Sequence, residues 1–244
     1  MSPYRSSLLA LPLFVAGCAE STLAPVDPPA LGAPAEASVL ENDLNEGFRS
    51  PDLKVDEFVE RFEGESREVF RERSRILEVL ALRPGLDVAD VGAGTGLFTL
   101  PMARAVGPDG VVHAVEIAPN FIAHVEERAA AEGLSNVRTV LCTESDARLE
   151  AGSVDLVFVC DTYHHFAYPA STLGSLRRAL RPGGRLVVVD FERIPGVSRE
   201  WLLDHVRAGK EVFRAEIEAA GFRFDEEVEI AGLEENYCLT FTRP

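Results

Sequence analysis

Val88-Ala-Asp-Val-Gly-Ala-Gly-Thr-Gly-Leu-Phe-Thr-Leu100 is the stretch that decides the fold. Its apolar opening predicts a short buried strand over residues 87–91. Gly92, Gly94 and Gly96 follow, and glycine lets a chain double back at positive φ and bring its backbone against a ligand. Further on, His113-Ala-Val-Glu116 closes a second apolar run on a carboxylate. An acid at that strand end is placed to hold a ribose diol. Together these features predict a nucleoside-type cofactor at the open edge of an α/β sheet.

The glycine spacing narrows the nucleoside. G-x-G-x-G preceded by Asp90 departs from the dinucleotide pattern G-x-G-x-x-G. A pyrophosphate wants a helix N-terminus and no anion beside it. Asp90 would repel a phosphate and suits an ammonium group. Two later blocks complete the pattern: Asp155-Leu-Val-Phe-Val-Cys-Asp161 and Leu180-Arg-Pro-Gly-Gly-Arg-Leu-Val-Val-Val189. With these four blocks in order over roughly residues 56–243, the chain resembles the class I S-adenosylmethionine-dependent methyltransferases.

That resemblance implies a three-layer, Rossmann-like α/β fold: seven mostly parallel strands, helices on both faces, the last strand antiparallel. It implies S-adenosyl-L-methionine as cofactor and methyl transfer as the reaction. Carried over by residue, Asp90, Gly92, Ala93, Gly94 and Gly96 cradle the adenosine and methionine portions. Glu116 accepts both ribose hydroxyls, and Ile117 packs on the adenine. The family places an acid after the third strand to receive the adenine amino group; here Glu144 and Asp146 both qualify. Asp161, after the fourth strand, lines the same site.

Residue patterns supply the elements. Residues 56–82 carry helical periodicity interrupted near Gly64 and stopped by Arg83-Pro-Gly85. Strands are predicted over 110–116, 137–142, 153–160 and 185–191, and helices over 119–131, 169–180 and 203–220. A hairpin of 222–230 with 236–242 closes the chain. Because helices connect the first five strands, those strands are predicted parallel.

Cys160-Asp-Thr-Tyr-His-His-Phe166 is the most chemically dense segment. Methyl transfer needs no protein nucleophile; positioning supplies much of the acceleration. A base helps only where the acceptor loses a proton, and His164 or His165, assisted by Asp161 or Tyr163, suits that task. In the resembled family paired histidines also serve as pocket wall. Adjacent histidines seldom aim at one point, so no metal is predicted. Asp190-Phe-Glu-Arg193 is placed at the mouth, and Phe62, Arg67, Phe70, Lys210 and Glu211 on a lid.

Composition bounds the partners. A net charge of −16 with no Lys/Arg cluster argues against nucleic acid. No C-x-x-C occurs, so neither a zinc knuckle nor a redox motif is indicated. Cys142 and Cys160 remain a conceivable thiol pair for metalloid chemistry.

The amino terminus reads differently. Arg5, the apolar run 8–16 and Val15-Ala-Gly-Cys18 resemble a bacterial lipoprotein signal over residues 1–18, with Cys18 lipidated. A Pro/Ala-rich tether spans 19–50 and the methyltransferase-like domain 51–244. A lipid on Cys18 would anchor the protein to a membrane, facing the periplasm. A non-functional signal would leave it cytoplasmic, where S-adenosylmethionine is made. The expected acceptor is a small molecule or a lipid-like one. Two other readings share the glycine loop and Glu116: a nicotinamide-dependent Rossmann oxidoreductase, and a membrane-tethered cofactor-binding module without turnover.

Overall fold

The computed structural model describes residues 1, 38–40, 43–65 and 67–244. Cys18 and the signal segment lie outside the described residues. Among those described, a sheet of seven strands has the order β3-β2-β1-β4-β5-β7-β6. The strands are β1 (Val88–Val91), β2 (Val112–Glu116), β3 (Val137–Leu141), β4 (Val154–Cys160), β5 (Leu180–Phe191), β6 (Arg223–Glu227) and β7 (Asn236–Thr242). β1 to β5 pair in parallel, and β7 inserts antiparallel between β5 and β6. This is the architecture expected from the sequence.

Strand alternation builds two cores. Val157, Val159, Leu186 and Val188 face one side, and Leu156, Phe158, Val187 and Val189 the other. Central strands covered on both faces read as unbroken apolar runs. The first face is covered by α7 (Pro169–Ala179) and α9 (Lys210–Ala219), through Leu173, Leu176, Phe213 and Ile217. The second is covered by α4 (Arg73–Leu80) and α5 (Thr99–Val106), through Ile76, Leu80, Met102 and Val106. β6 is the outer edge, and its Arg223-Phe-Asp-Glu-Glu227 sequence is largely exposed, which discourages pairing with another chain.

Local signals set the helix boundaries. α6 (Pro119–Ala131) and α7 both begin with proline, whose fixed φ and missing N–H suit a first turn. Pro101 likewise falls in the first turn of α5, where no intrahelical donor is lost.

Beyond shifted strand ends, such as β5 beginning at Leu180 and β6 ending at Glu227, the sequence reading departs from the structure in three places. The region 56–82 holds three helices rather than two: α2 (Val55–Phe62), α3 (Glu68–Arg71) and α4. The single helix expected over 203–220 is two, α8 (Glu200–His205) and α9, because Val206 turns extended and Gly209 starts the second as its N-cap. Residues 43–50, expected as the end of an extended tether, include a turn of helix, α1 (Glu46–Arg49), and a buried Asn45. Asn45 donates to the carbonyl of His165 at 3.0 Å, and Val39 N–H to that of Ala167 at 2.8 Å. These donors, together with the Phe48 ring set edge-on to that of His165, fasten this segment to the loops beyond β4.

Among the described residues no helix is long and apolar enough to cross a membrane.

Candidate functional site

At the carboxyl ends of β1, β2 and β4 the chain encloses a cavity of about 680 Å³. That volume lies within the range of drug-sized ligand sites, and its place is the usual one in an open parallel sheet. Asp90, Gly92, Ala93, Gly94, Glu116 and Ile117 all line it, as do Glu144, Asp161, His164 and His165.

The loop after β1 is held by specific contacts. Gly92 sits at φ +76°, and a Cβ there would lie 2.3 Å from Thr162 of the loop after β4. Glycine is thus required both by conformation and by the close approach of two loops. A Cβ added to Gly94, at φ +52°, would lie 3.6 Å from the Phe62 ring of α2, so Phe62 covers this side of the loop. Gly96 does not line the cavity. A Cβ on it would press on Val125 of α6 at 3.3 Å, so its smallness serves helix packing rather than a ligand.

Glu116 is buried and accepts three backbone N–H groups: Gly94 at 2.9 Å, Ile117 at 2.7 Å and Ala118 at 3.0 Å. These bonds tie the glycine loop to the start of α6. Burial raises its pKa, and the three donors work in the opposite direction. A carboxylate has about four lone-pair sites. Glu116 therefore keeps one site open for a ribose hydroxyl, and a second hydroxyl would share a lone pair with a backbone donor.

Asp90 is buried beneath the loop and accepts the Thr99 hydroxyl at 2.6 Å. Burial pushes its carboxyl up to about 7, and the nearby Glu116 adds to the rise. A cation brought to it would relieve that cost. Thr95 Oγ1, Asn236 Oδ1 and His165 Nδ1 are buried without a hydrogen-bond partner among the described residues, and all three residues line the cavity. Buried polar atoms left unpaired mark a place where a polar ligand belongs.

Glu144 and Asp146 separate clearly. Glu144 faces the cavity, paired with Arg49 and bonded by Asn45 at 3.3 Å. Asp146 points away, 3.4 Å from Arg178, and accepts Arg148 N–H within its own loop. Only Glu144 stands where an adenine acid is needed.

Asp161 occupies positive φ, +47°, uncommon for a residue other than glycine and often found at functional sites. It forms an ion pair with Arg67 and accepts Asn236 Nδ2 at 2.5 Å. Burial raises it to about 6 in spite of Arg67. Held this way, it positions the loop and is a poor assistant for a neighbouring histidine.

The histidines lie on a 3₁₀ turn, Tyr163–His165. His164 is buried, and its Nδ1 is 2.7 Å from Asp190 Oδ1, while its backbone N–H donates to Asp190 Oδ2 at 3.1 Å. An acceptor-only carboxylate fixes a proton on Nδ1 and leaves Nε2 as the nitrogen available to another partner. Asp190, expected at the mouth, is instead fully buried behind His164. Burial and neighbouring histidines lower His165 to about 2, so it is neutral at physiological pH and a feeble base. Tyr163 turns the other way: it is fully buried in the core, donating to Glu216 at 3.0 Å, and does not assist the histidines.

His205, on α8, was not singled out by the sequence. Its ring centroid lies 5.0 Å from that of His164 and 5.1 Å from that of His165. Its pKa falls to about 4 through burial, with His164 and Arg61 adding to the fall. The glycine at 209 was the available signal, since as N-cap of α9 it marks the break that leaves α8 as a separate helix ending at His205. Of the expected lid residues, Phe62 and Arg67 line the cavity. Phe70 instead stacks under Arg73, and Lys210 bridges Glu192 and Glu227. Glu211 is exposed.

Cys142 and Cys160 both line the cavity, at the ends of β3 and β4. β2 and β1 lie between those strands, a separation of about 14 Å at the usual strand spacing. Burial pushes Cys142 up to about 12 and Cys160 well above its ordinary value. Thiols so far apart and so firmly protonated do not form a metalloid-binding pair.

Residues 89–188 match a family model described as a methyltransferase domain. Among curated proteins, the chain is similar to nocamycin O-methyltransferase of Saccharothrix syringae, 34% identical over 55% of this chain and 48% of that protein. It is also similar to the ubiquinone/menaquinone biosynthesis C-methyltransferase of Burkholderia cenocepacia, 29% identical over 46% of each chain. The matches thus span about half the length of these relatives. Among solved structures, a SAM-dependent methyltransferase from Aquifex aeolicus superposes with TM-score 0.69 at 23% identity, covering 78% of this chain and 99% of that one. The shared fold is that of methyltransferases.

Proposed function

We propose that the chain is an S-adenosylmethionine-dependent methyltransferase acting on a small-molecule or lipid-like acceptor. The observation that carries this reading is the pairing of a buried, cation-seeking Asp90 with a strand-end Glu116 that braces the glycine loop and keeps a lone pair free. Asp90 receives the ammonium of the methionine tail, Glu116 one ribose hydroxyl, and Glu144 the adenine amino group. Ile117 supports the adenine face. Thr95 and Asn236 offer polar atoms that a zwitterionic tail would satisfy.

When bound, S-adenosylmethionine supplies a methyl group on a sulfonium whose sulfur leaves as a neutral thioether. The chain's own contribution is alignment and exclusion of water. Phe48, Phe58, Phe62 and Phe121 stack on one another over the loop, with centroids 5.3 to 6.3 Å apart. Phe191 and Trp201 form a second aromatic wall beside the histidines. The acceptor enters on the β4–β5 side, against aromatic faces and the histidine cluster. This wall is what supports an apolar or lipid-like acceptor.

Purified full-length chain mixed with methyl-labelled S-adenosylmethionine and an extract of apolar metabolites should pass label to an organic-soluble product. A chain that binds the cofactor yet labels nothing across a broad acceptor panel would be a binding module without turnover.

The membrane anchor is proposed with it. In this reading residues 1–18 are a lipoprotein-type signal with a diacylated Cys18, and residues 19–50 are the tether to the domain. Mass spectrometry of the native protein tests this directly. An unmodified chain in the cytosolic fraction would overturn it.

A further inference from the structure

The fold brings a distant imidazole, His205, beside the adjacent pair His164 and His165. His164 and His165 come from the turn after β4 and His205 from the end of α8. One nitrogen from each lies within 4.8 Å of the others. Three imidazole nitrogens on one metal at 2.0–2.1 Å stand about 3.4 Å apart in tetrahedral geometry. Side-chain adjustments of roughly 1.4 Å or less would therefore close the set on an ion.

Two further observations point to a ligand here. His165 Nδ1 is buried with no hydrogen-bond partner among the described residues, so at least one lone pair or N–H in the cluster is unspent. Asp190 holds His164 from behind through Nδ1, the carboxylate–histidine arrangement that orients an imidazole and raises its basicity toward a metal. Around the cluster Phe48, Phe191 and Trp201 supply the apolar shell that limits solvent access to such centres. Arg61 is the nearby opposing charge, and Asp190 and Asp161 offset it.

We propose that His164, His165 and His205 form a three-histidine site for a divalent transition metal of the zinc class. Three imidazoles without a thiolate suit zinc, cobalt or nickel better than magnesium or calcium, which prefer oxygen donors. Three protein ligands leave a fourth position open. That position faces the cavity and fits a water or the anionic oxygen of an acceptor.

The test uses full-length protein without a histidine tag, stripped by a chelator and titrated with Zn²⁺ or Co²⁺ alone. The site predicts one equivalent of metal per chain, visible ligand-field bands with Co²⁺, and a metal-dependent rise in Tm. His205→Ala, with an unchanged metal-free circular dichroism spectrum, should weaken binding at least tenfold and abolish the Co²⁺ bands. Asp190→Asn should weaken it 10- to 100-fold, as loss of a partner behind a ligand does. Absence of stoichiometric binding, or binding unchanged in His205→Ala, overturns the proposal. Neither S-adenosylmethionine nor acceptor enters the measurement, so its failure and failure of the methyltransferase reading are told apart.

Discussion

Replacing Asp90 by Asn should separate the stability of the empty site from its use. Asp90 is fully enclosed, and its carboxyl stands at about 7 against an ordinary 3.8. A folded-state pKa raised in this way favours the folded state in acid. That advantage is lost as pH rises from the unfolded toward the folded value. At pH 8 the enclosed carboxylate costs the ligand-free protein about 4 kcal/mol relative to a group that does not ionise, and at pH 5 roughly 2 kcal/mol. Asn keeps the shape and can still accept the Thr99 hydroxyl, though its amide N–H groups lack obvious acceptors. That shortfall, about 1–3 kcal/mol, is the same at every pH. The pH-dependent part is therefore the clean readout. Urea unfolding of both proteins without ligand should show Asp90→Asn gaining roughly 2–3 kcal/mol on the wild type between pH 5 and pH 8. The same variant should bind S-adenosylmethionine at least tenfold more weakly, about 1.4 kcal/mol, having lost the partner for the ammonium. A stability difference that stays constant from pH 5 to pH 8 would refute the burial argument. Undiminished affinity would refute the assigned role.

Gly92→Ala combines positive φ with overlap on Thr162, and should destabilise by roughly 2–4 kcal/mol in chemical denaturation. A loss below about 0.5 kcal/mol, the range of an ordinary surface substitution, would mean the two loops are not interlocked. Arg67→Met leaves the buried Asp161 with Asn236 alone, and should cost roughly 2–3 kcal/mol at pH 8, shrinking in acid as Asp161 takes a proton. A penalty that does not shrink would show that the charge of Asp161 is not what Arg67 balances. Tyr163→Phe should cost about 1 kcal/mol and leave cofactor affinity alone, because the hydroxyl faces Glu216 and the core. A tenfold fall in affinity would return Tyr163 to the site.

What the sequence made legible follows from how local each signal is. The central strands declare themselves as unbroken apolar runs, and Pro119 and Pro169 mark helix starts without help from tertiary contacts. The glycine loop and Glu116 are legible because their chemistry needs fixed residue types at a fixed spacing. Side-chain direction is not local in this sense. Tyr163 and His164 are neighbours with the same apparent promise, yet one turn of backbone sends the first to Glu216 and the second to Asp190. His205 stayed hidden because its meaning comes from α8 setting it beside the turn after β4. Residues 43–50 were obscured by the proline- and alanine-rich stretch before them, although Phe48 and Asn45 are ordinary site-building residues. Gly96 shows the converse: it belongs to the motif, but its contact is Val125.

Isothermal titration of full-length protein with S-adenosylmethionine, and separately with NADH, tests the central claim most directly. One-to-one binding of S-adenosylmethionine, none of NADH, and loss of binding in Glu116→Ala is the predicted result. Binding of NADH, or S-adenosylmethionine binding that survives Glu116→Ala undiminished, would contradict it.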